Sequence, residues 1–268
     1  MTLRIAALQM VSSNILEENL NEVNELAGVA IAGGANMIAL PEYFCFMGLK
    51  ETDKLALAEE PGHGPIQDFL ANLAARLGIW VFAGSIPLKS SHAQKVLNTQ
   101  LVFDNQGNQV CRYDKIHLFS FARGSESYDE SRSIEAGHSL AVLDSPFGRV
   151  GLSICYDLRF PELYRQMGTV DLILVPSAFT YTTGQAHWEI LLRARAIENQ
   201  CYVLAPAQGG QHANGRRTWG HTMLVDPWGE VLEVLPEHPG VVMGDIDPDR
   251  LKEVRESLPA LRHRVLQA

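Results

Sequence analysis

Gly148-Arg149-Val150-Gly151-Leu152-Ser153-Ile154-Cys155-Tyr156-Asp157-Leu158-Arg159-Phe160-Pro161-Glu162 decides the reading of this chain. Its first seven residues form a short run of strand character. Its last residues predict a helix from Leu158 to Met167, because a proline is tolerated in a first turn. Cys155 falls at the junction. A thiol there is expected at a sheet edge and near the positive end of a helix dipole, which favours the thiolate. Residue type alone leaves two readings open, a small buried hydrophobe or a nucleophile.

The same alternation of strand and helix extends in both directions. Toward the N-terminus the pattern predicts a strand over Arg4–Gln9 and a helix over Leu16–Ile31, then an apolar run Met37–Leu40 and a helix over Ile66–Leu77. Hairpins are expected from Leu97 onward. Asn105-Gln106-Gly107-Asn108, Ser145-Pro146-Phe147-Gly148 and Asp226-Pro227-Trp228-Gly229 each read as a turn between β-rich runs. Asp171–Pro176 is a buried strand by its pattern. Ala186–Gln200 is a helix with Trp188, Leu191, Leu192 and Ile197 as its apolar stripe and Glu189 and Arg193 as an i,i+4 pair. Strands over Cys201–Ala205, His221–Val225 and Val241–Ile246 and a helix over Pro248–Ser257 complete a layered α/β sandwich. With no repeat or linker, one domain over residues 1–268 is expected.

Composition narrows the partners. The chain has 268 residues, 46% of them hydrophobic, and 22 Lys+Arg against 31 Asp+Glu give a net charge of -9. Such a surface has no electrostatic reason to seek nucleic acid or an anionic bilayer. Neither a signal-like N-terminus nor an 18-residue apolar run is present, so a cytoplasmic protein is expected. Cys45, Cys111, Cys155 and Cys201 form no CxxC pair, which argues against a zinc knuckle or a disulfide framework.

Two other segments carry chemistry. Glu42 ends the strand-like MIALPE, and Lys115 in YDKIHLF follows a β-rich stretch, so both can converge with Cys155 at one sheet edge. Taken singly, each is equally an ordinary surface charge. Together, LPEYF, YDKIHLF and GLSICYDLRFPEL resemble the nitrilase superfamily of carbon–nitrogen hydrolases, and similarity extends from RIAALQM through PSAFT and HWEILLRARAIEN to GHTMLVDPWGE. Within that superfamily CYDLRFPEL looks like the amidase group that includes deaminated-glutathione amidases and omega-amidases, and AHWEILLRARAIENQCYV and GHTMLVDPWG are nearest the former. The nitrile-cleaving members carry a tryptophan after the cysteine, where this chain has Tyr156.

The resemblance implies a four-layer αββα sandwich, assembly into at least a homodimer, and no metal or other cofactor. It implies Glu42 as general base, Cys155 as nucleophile, and Lys115 with the Tyr156 N–H as oxyanion donors. Glu130 falls where the family has a second active-site glutamate, with Glu126 and Glu135 close enough to be exchanged by a register error. The implied substrate is a small carboxylate-bearing amide such as deaminated glutathione, with alpha-ketoglutaramate or an aliphatic amide as alternatives. Arg159, Arg123, Tyr181, Thr182 and Thr183 are the groups placed to receive its carboxylate. Arg159 is equally readable as an ion-pair partner of Glu162 or Asp157. Two rival readings are a Cys–His hydrolase built on His117 and a non-catalytic scaffold. GxGxxG, GxxxxGK[ST] and HExxH are absent.

Overall fold

The structure, a computed structural model, describes residues 3–124 and 126–266. Two sheets organise it. The first runs in the order Gly240–Ile246, Leu3–Gln9, Met37–Ala39, Trp80–Phe82, Val96–Phe103, Ile86–Lys89, with Gln109–Asp114 and Ile134–Glu135 also paired to Val96–Phe103. The second runs Ala141–Ser145, Gly148–Leu152, Leu172–Leu174, Tyr202–Ala205, Thr222–Val225, Val231–Leu235. Three parallel strands form the heart of each, and antiparallel partners flank them.

Side-chain alternation along the strands builds the layers. Ile5 and Ala7 point toward Val150 and Leu152 of the other sheet, whereas Ala6 and Leu8 join Val23 and Ala27 of the helix Leu16–Ala32 and Leu70 and Leu73 of the helix Pro65–Leu77. Strands buried on both faces therefore read as continuous apolar runs. On the far side of the second sheet, Leu163 of the helix Pro161–Gln166 and Trp188 and Leu192 of the helix Tyr181–Asn199 close the core. The result is the expected four-layer αββα sandwich. Gly244 lets the two sheets pack, with the Leu224 side chain in the space a Cβ would take.

The three turn segments each join antiparallel strands, and the last helix spans Pro248–Ser257 as read from sequence. Two expectations need correction. No single helix covers Leu158–Met167. Cys155–Arg159 is a 3-10 turn, Phe160 is extended, and an α-helix covers Pro161–Gln166. The proline explains the break, since the residue before it is pushed out of the helical region. The helix expected from Ala186 starts at Tyr181, where the Thr180 hydroxyl accepts from the Thr183 N–H. Its buried stripe is Trp188, Leu192 and Ala196, and Ile197 is 49% exposed. Nine residues from Trp188 is two and a half turns, which puts Ile197 on the opposite side.

Candidate active site

Glu42 and Cys155 both follow the C-terminal ends of parallel strands, one in each sheet. Each comes with a non-glycine residue in the left-handed region, Tyr43 at φ 56° and Cys155 at φ 50°. Such conformations cost about 1–3 kcal/mol and persist only where the surroundings impose them. At Glu42 the imposing partner is Gly84, itself at φ 56°, which lets the Pro41 carbonyl occupy the place of its missing Cβ. At Cys155 it is hydrogen bonding, with Cys155 N donating to the Pro176 carbonyl at 2.9 Å. Ile154 N donates to Asp157 Oδ2 at 2.8 Å.

Asp157 is fully buried and ties the cysteine turn to the loop of Lys115. Tyr113 Oη donates to its Oδ2 at 2.7 Å, His117 N donates to its Oδ1 at 3.1 Å, and His117 Nδ1 lies 2.7 Å from the same oxygen. The lysine is placed from the other side, its N–H donating to the Asn98 carbonyl at 2.9 Å. Its ammonium donates to Glu42 Oε1 at 2.8 Å and to Glu130 Oε1 and Oε2 at 3.0 and 2.8 Å. Glu42 is further held by Asn98 Nδ2 and by the Ala178 N–H, both at 2.9 Å. Glu130 accepts from the Phe119 N–H at 2.7 Å and from Tyr43 Oη at 3.0 Å.

The charges follow from this packing. Burial alone would depress Lys115, but the carboxylates of Glu130 and Glu42 more than reverse it and hold the ammonium protonated. Burial likewise works against ionised Glu130, and Lys115 outweighs it, so the Glu130 pKa lies below the usual value. Cys155 goes the other way. Burial and then the Glu42 charge push its thiol up, against the smaller pull of Lys115. The expected thiolate at a helix terminus is therefore corrected. The 3-10 turn is only five residues long, and a carboxylate faces the sulfur. The resting group is a thiol with a base beside it.

Over Cys155 lies a narrow pocket. Glu42, Glu130, Tyr156, Arg159 and Thr183 line it, together with Phe119, Ala178, Phe179, Thr180 and Arg216. Glu130 is the acid on Lys115, whereas Glu126 accepts from Thr182 Oγ1 at 2.9 Å and Glu135 faces Ser91. Thr182 thus turns away from the cavity, one helix position being enough to change sides. Tyr181 packs on Trp219 and under Arg217, and Arg123 is exposed on the hairpin of Ser120–Arg123 and Glu126–Asp129, so neither lines the cavity. Arg159 forms no ion pair with Glu162 or Asp157. Its guanidinium lies 3.2 Å from His187 Nδ1 and over the Phe179 and Tyr156 rings. His117, stacked on Phe160 and bound to Asp157, is not in the cavity wall, which removes the Cys–His alternative.

Asn98, Phe119 and Arg216 were not singled out from sequence. Asn98 is an unremarked position within a strand, and Arg216 sits in a polar turn far along the chain. Their residue types carry no motif. Among the described residues no three His, Cys, Asp or Glu side chains form a metal-holding group. Among the same described residues no helix is long and apolar enough to cross a membrane.

A thiol faced by a carboxylate and an ammonium in a pocket at the strand ends of an αββα sandwich is an arrangement suited to enzymes that transfer an acyl group through cysteine. The carbon-nitrogen hydrolase model matches residues 4–256, and the chain belongs to that family. It is 45% identical over 266 residues to the deaminated glutathione amidase of Synechocystis, covering 97% of both chains. It is 41% identical to that of Dictyostelium discoideum, covering 98% of this chain and 94% of the relative. The Caenorhabditis elegans NitFhit structure superposes with a TM-score of 0.91 at 40% identity, over 98% of this chain and 65% of that one. An amidase from Nesterenkonia, 26% identical with a TM-score of 0.79 over 96% of this chain and 98% of that one, has been solved with acrylamide added at its active-site cysteine.

Proposed function

We propose that this chain is an amidase that hydrolyses deaminated glutathione through an acyl-cysteine intermediate. The observation that carries the reading is the Lys115 ammonium held between Glu42 and Glu130 in the wall behind the Cys155 thiol. Near-identity in length with relatives bearing that activity supports the substrate.

In this scheme Glu42 takes the thiol proton as Sγ attacks the amide carbon, and the carbonyl oxygen becomes an oxyanion facing Lys115 and the Tyr156 N–H. Glu42 then gives the proton to nitrogen as the C–N bond breaks and the amine leaves. A water, deprotonated by the same carboxylate, attacks the thioester and releases the acid and the thiol. Glu130 holds Lys115 in line, and Arg159 with Thr183 receives the carboxylate of the acyl half. The chemistry needs no cofactor. The reading carries with it a cytoplasmic, homodimeric enzyme, for which exposed Ile190, Ile197 and Trp228 offer an apolar face; light scattering measures that state.

Cys155→Ala should abolish hydrolysis and leave the fold unchanged by circular dichroism. Glu42→Gln separates base from electrostatic neighbour. Because the Glu42 charge raises the thiol pKa, its removal should lower that pKa in a spectroscopic thiolate titration, while amide turnover falls by about 100- to 10,000-fold. Full activity in either variant overturns the assignment. A panel of deaminated glutathione, alpha-ketoglutaramate, an aliphatic amide, an N-carbamoyl amino acid and a nitrile tests the substrate. Preference for any of the last four over the first overturns it.

A further inference from the structure

The scheme above leaves one cation of the cavity unused. Arg216 lies in the turn between the strands Gly209–Gln211 and Arg217–Trp219, which folds back over the site. One of its terminal nitrogens donates to the Ala178 carbonyl, and its guanidinium lies 5.3 Å from the Tyr128 ring centroid. Its Nε is shut off from solvent and has no hydrogen-bond partner, and although the Glu42 charge helps to hold it protonated, no carboxylate among the described residues forms an ion pair with it. The neighbouring Arg217, by contrast, is paired with Glu237. A shielded Nε–H left idle on a half-buried guanidinium is costly unless a ligand completes it.

Arg216 also stands at a boundary. It lines both the pocket over Cys155 and an adjoining groove bounded by Tyr43, Lys54, Tyr128 and Asn214. Lys54, the other part-buried cation there, is taken by Glu51 at 2.9 Å. The orientation of a substrate follows from the chemistry. Glu42 protonates the leaving nitrogen, so the amine departs on the side of Glu42. The Ala178 peptide bridges the two groups on that side, its N–H on Glu42 and its carbonyl on Arg216. Arg159 lies against Tyr156 and Phe179 instead.

We infer that Arg216 is the specificity-determining residue for the leaving half of the substrate, receiving the terminal carboxylate of a dipeptide-like amine laid in the groove of Tyr43 and Tyr128. The inference rests on the proposed amidase reading. It assigns the two ends of a dicarboxylate amide to two arginines, the acyl end to Arg159 and the amine end to Arg216. Deaminated glutathione has this form, an oxo-acid at one end and cysteinylglycine at the other. A primary amide that releases ammonia has no group for Arg216.

The test uses three substrates on the purified enzyme and on Arg216→Lys, Arg216→Gln and Arg216→Met. They are deaminated glutathione, the same molecule with its glycine carboxylate capped as a carboxamide, and alpha-ketoglutaramate. For Gln and Met the KM of deaminated glutathione should rise about 10- to 100-fold, as expected for one charge-assisted contact, with kcat within a few-fold. Lys should recover part of the loss. The other two substrates should change little. Equal losses on all three, or a fall in kcat with a shifted pH profile, would overturn the inference and make Arg216 an electrostatic partner of Glu42. Should the variants not fold, product inhibition of the unaltered enzyme decides. Cysteinylglycine must inhibit at least 10-fold more strongly than its carboxamide; equal inhibition overturns the proposal. Failure of the unaltered enzyme on deaminated glutathione and its capped form, with alpha-ketoglutaramate still hydrolysed, would instead remove the substrate reading on which the inference rests.

Discussion

Two cations flank Cys155, Lys115 buried and Arg216 half-buried, and they are partnered in opposite ways. Lys115 makes three contacts to the oxygens of Glu42 and Glu130. Arg216 makes one hydrogen bond to a backbone carbonyl and leaves Nε idle. A desolvated charge enclosed by opposite charges is fixed in place, ready to stabilise an oxyanion that forms at a set point. A half-buried charge that feels the Glu42 carboxylate from a distance but makes no ion pair with it keeps a donor free for a ligand. Lys115 with its two carboxylates carries a net negative charge, which repels an anionic substrate unless further cations offset it. The difference separates the part of the site that performs the reaction from the part that selects what enters.

The largest effect is expected where the enclosed cation is removed. Lys115→Met leaves Glu42 and Glu130 facing each other out of water, and breaking a buried pair this way costs about 3–5 kcal/mol. Loss of an oxyanion donor adds a fall on the order of 100- to 1,000-fold in kcat. Thermal denaturation and turnover on the folded fraction measure the two losses separately. A stable, active Lys115→Met variant would break the comparison, because the lysine would then be no more essential than the arginine.

A smaller effect should come from Asp157, which places the lysine loop against the cysteine turn. Asp157→Asn keeps the shape but removes the charge that accepts from Tyr113, Ile154 N and His117. One weakened buried contact corresponds to about 1–3 kcal/mol of stability, and displacement of Sγ relative to Glu42 should lower kcat with KM unchanged. An increase in KM alone would move Asp157 to the selecting side.

The two sides also differ in how much of them the sequence discloses. Glu42, Lys115 and Cys155 each directly follow a β-rich run and carry chemistry, so strand ends and motif order point to one edge before any coordinates are seen. Nothing local announces Arg216, because a turn more than sixty residues beyond Cys155 must fold back before its charge matters. Thr182 and Thr183 are adjacent and alike, and only the phase of a helix that begins at Tyr181 decides which faces the cavity. The thiol expected as thiolate is a thiol because burial, and then the charge of Glu42, remote in sequence, push it up. Helices interspersed with apolar strands such as Leu3–Gln9 made a layered α/β sandwich legible, whereas the count of four layers came with the family resemblance. The 3-10 turn at Cys155 was missed because the proline's effect on Phe160 was read as a helix start.

The mildest way to sharpen the comparison is acid. His212 anchors the turn that carries Arg216, with Nδ1 3.0 Å from the Ser12 carbonyl, Nε2 2.8 Å from Thr218 Oγ1, and its own N–H donating to the Arg216 carbonyl at 2.8 Å. Burial lowers its pKa from 6.5 to about 4, with the Ser12 carbonyl pulling the other way. The neutral ring is therefore the folded form, while the unfolded chain takes up a proton near pH 6.5. The stabilisation is whole above that pH and is lost progressively as pH falls toward 4, by up to about 3 kcal/mol. Burial works against ionised Glu130, but Lys115 outweighs it and holds its carboxyl below the usual range, so the lysine side should loosen later than the histidine. Denaturation midpoints measured from pH 7 to 4 on the unaltered protein and on His212→Gln isolate the histidine, since the variant should lose this part of the slope. Over the same range KM for deaminated glutathione should rise before kcat falls, because the arginine turn yields first; a fall in kcat that comes first would put His212 in support of the reacting groups instead.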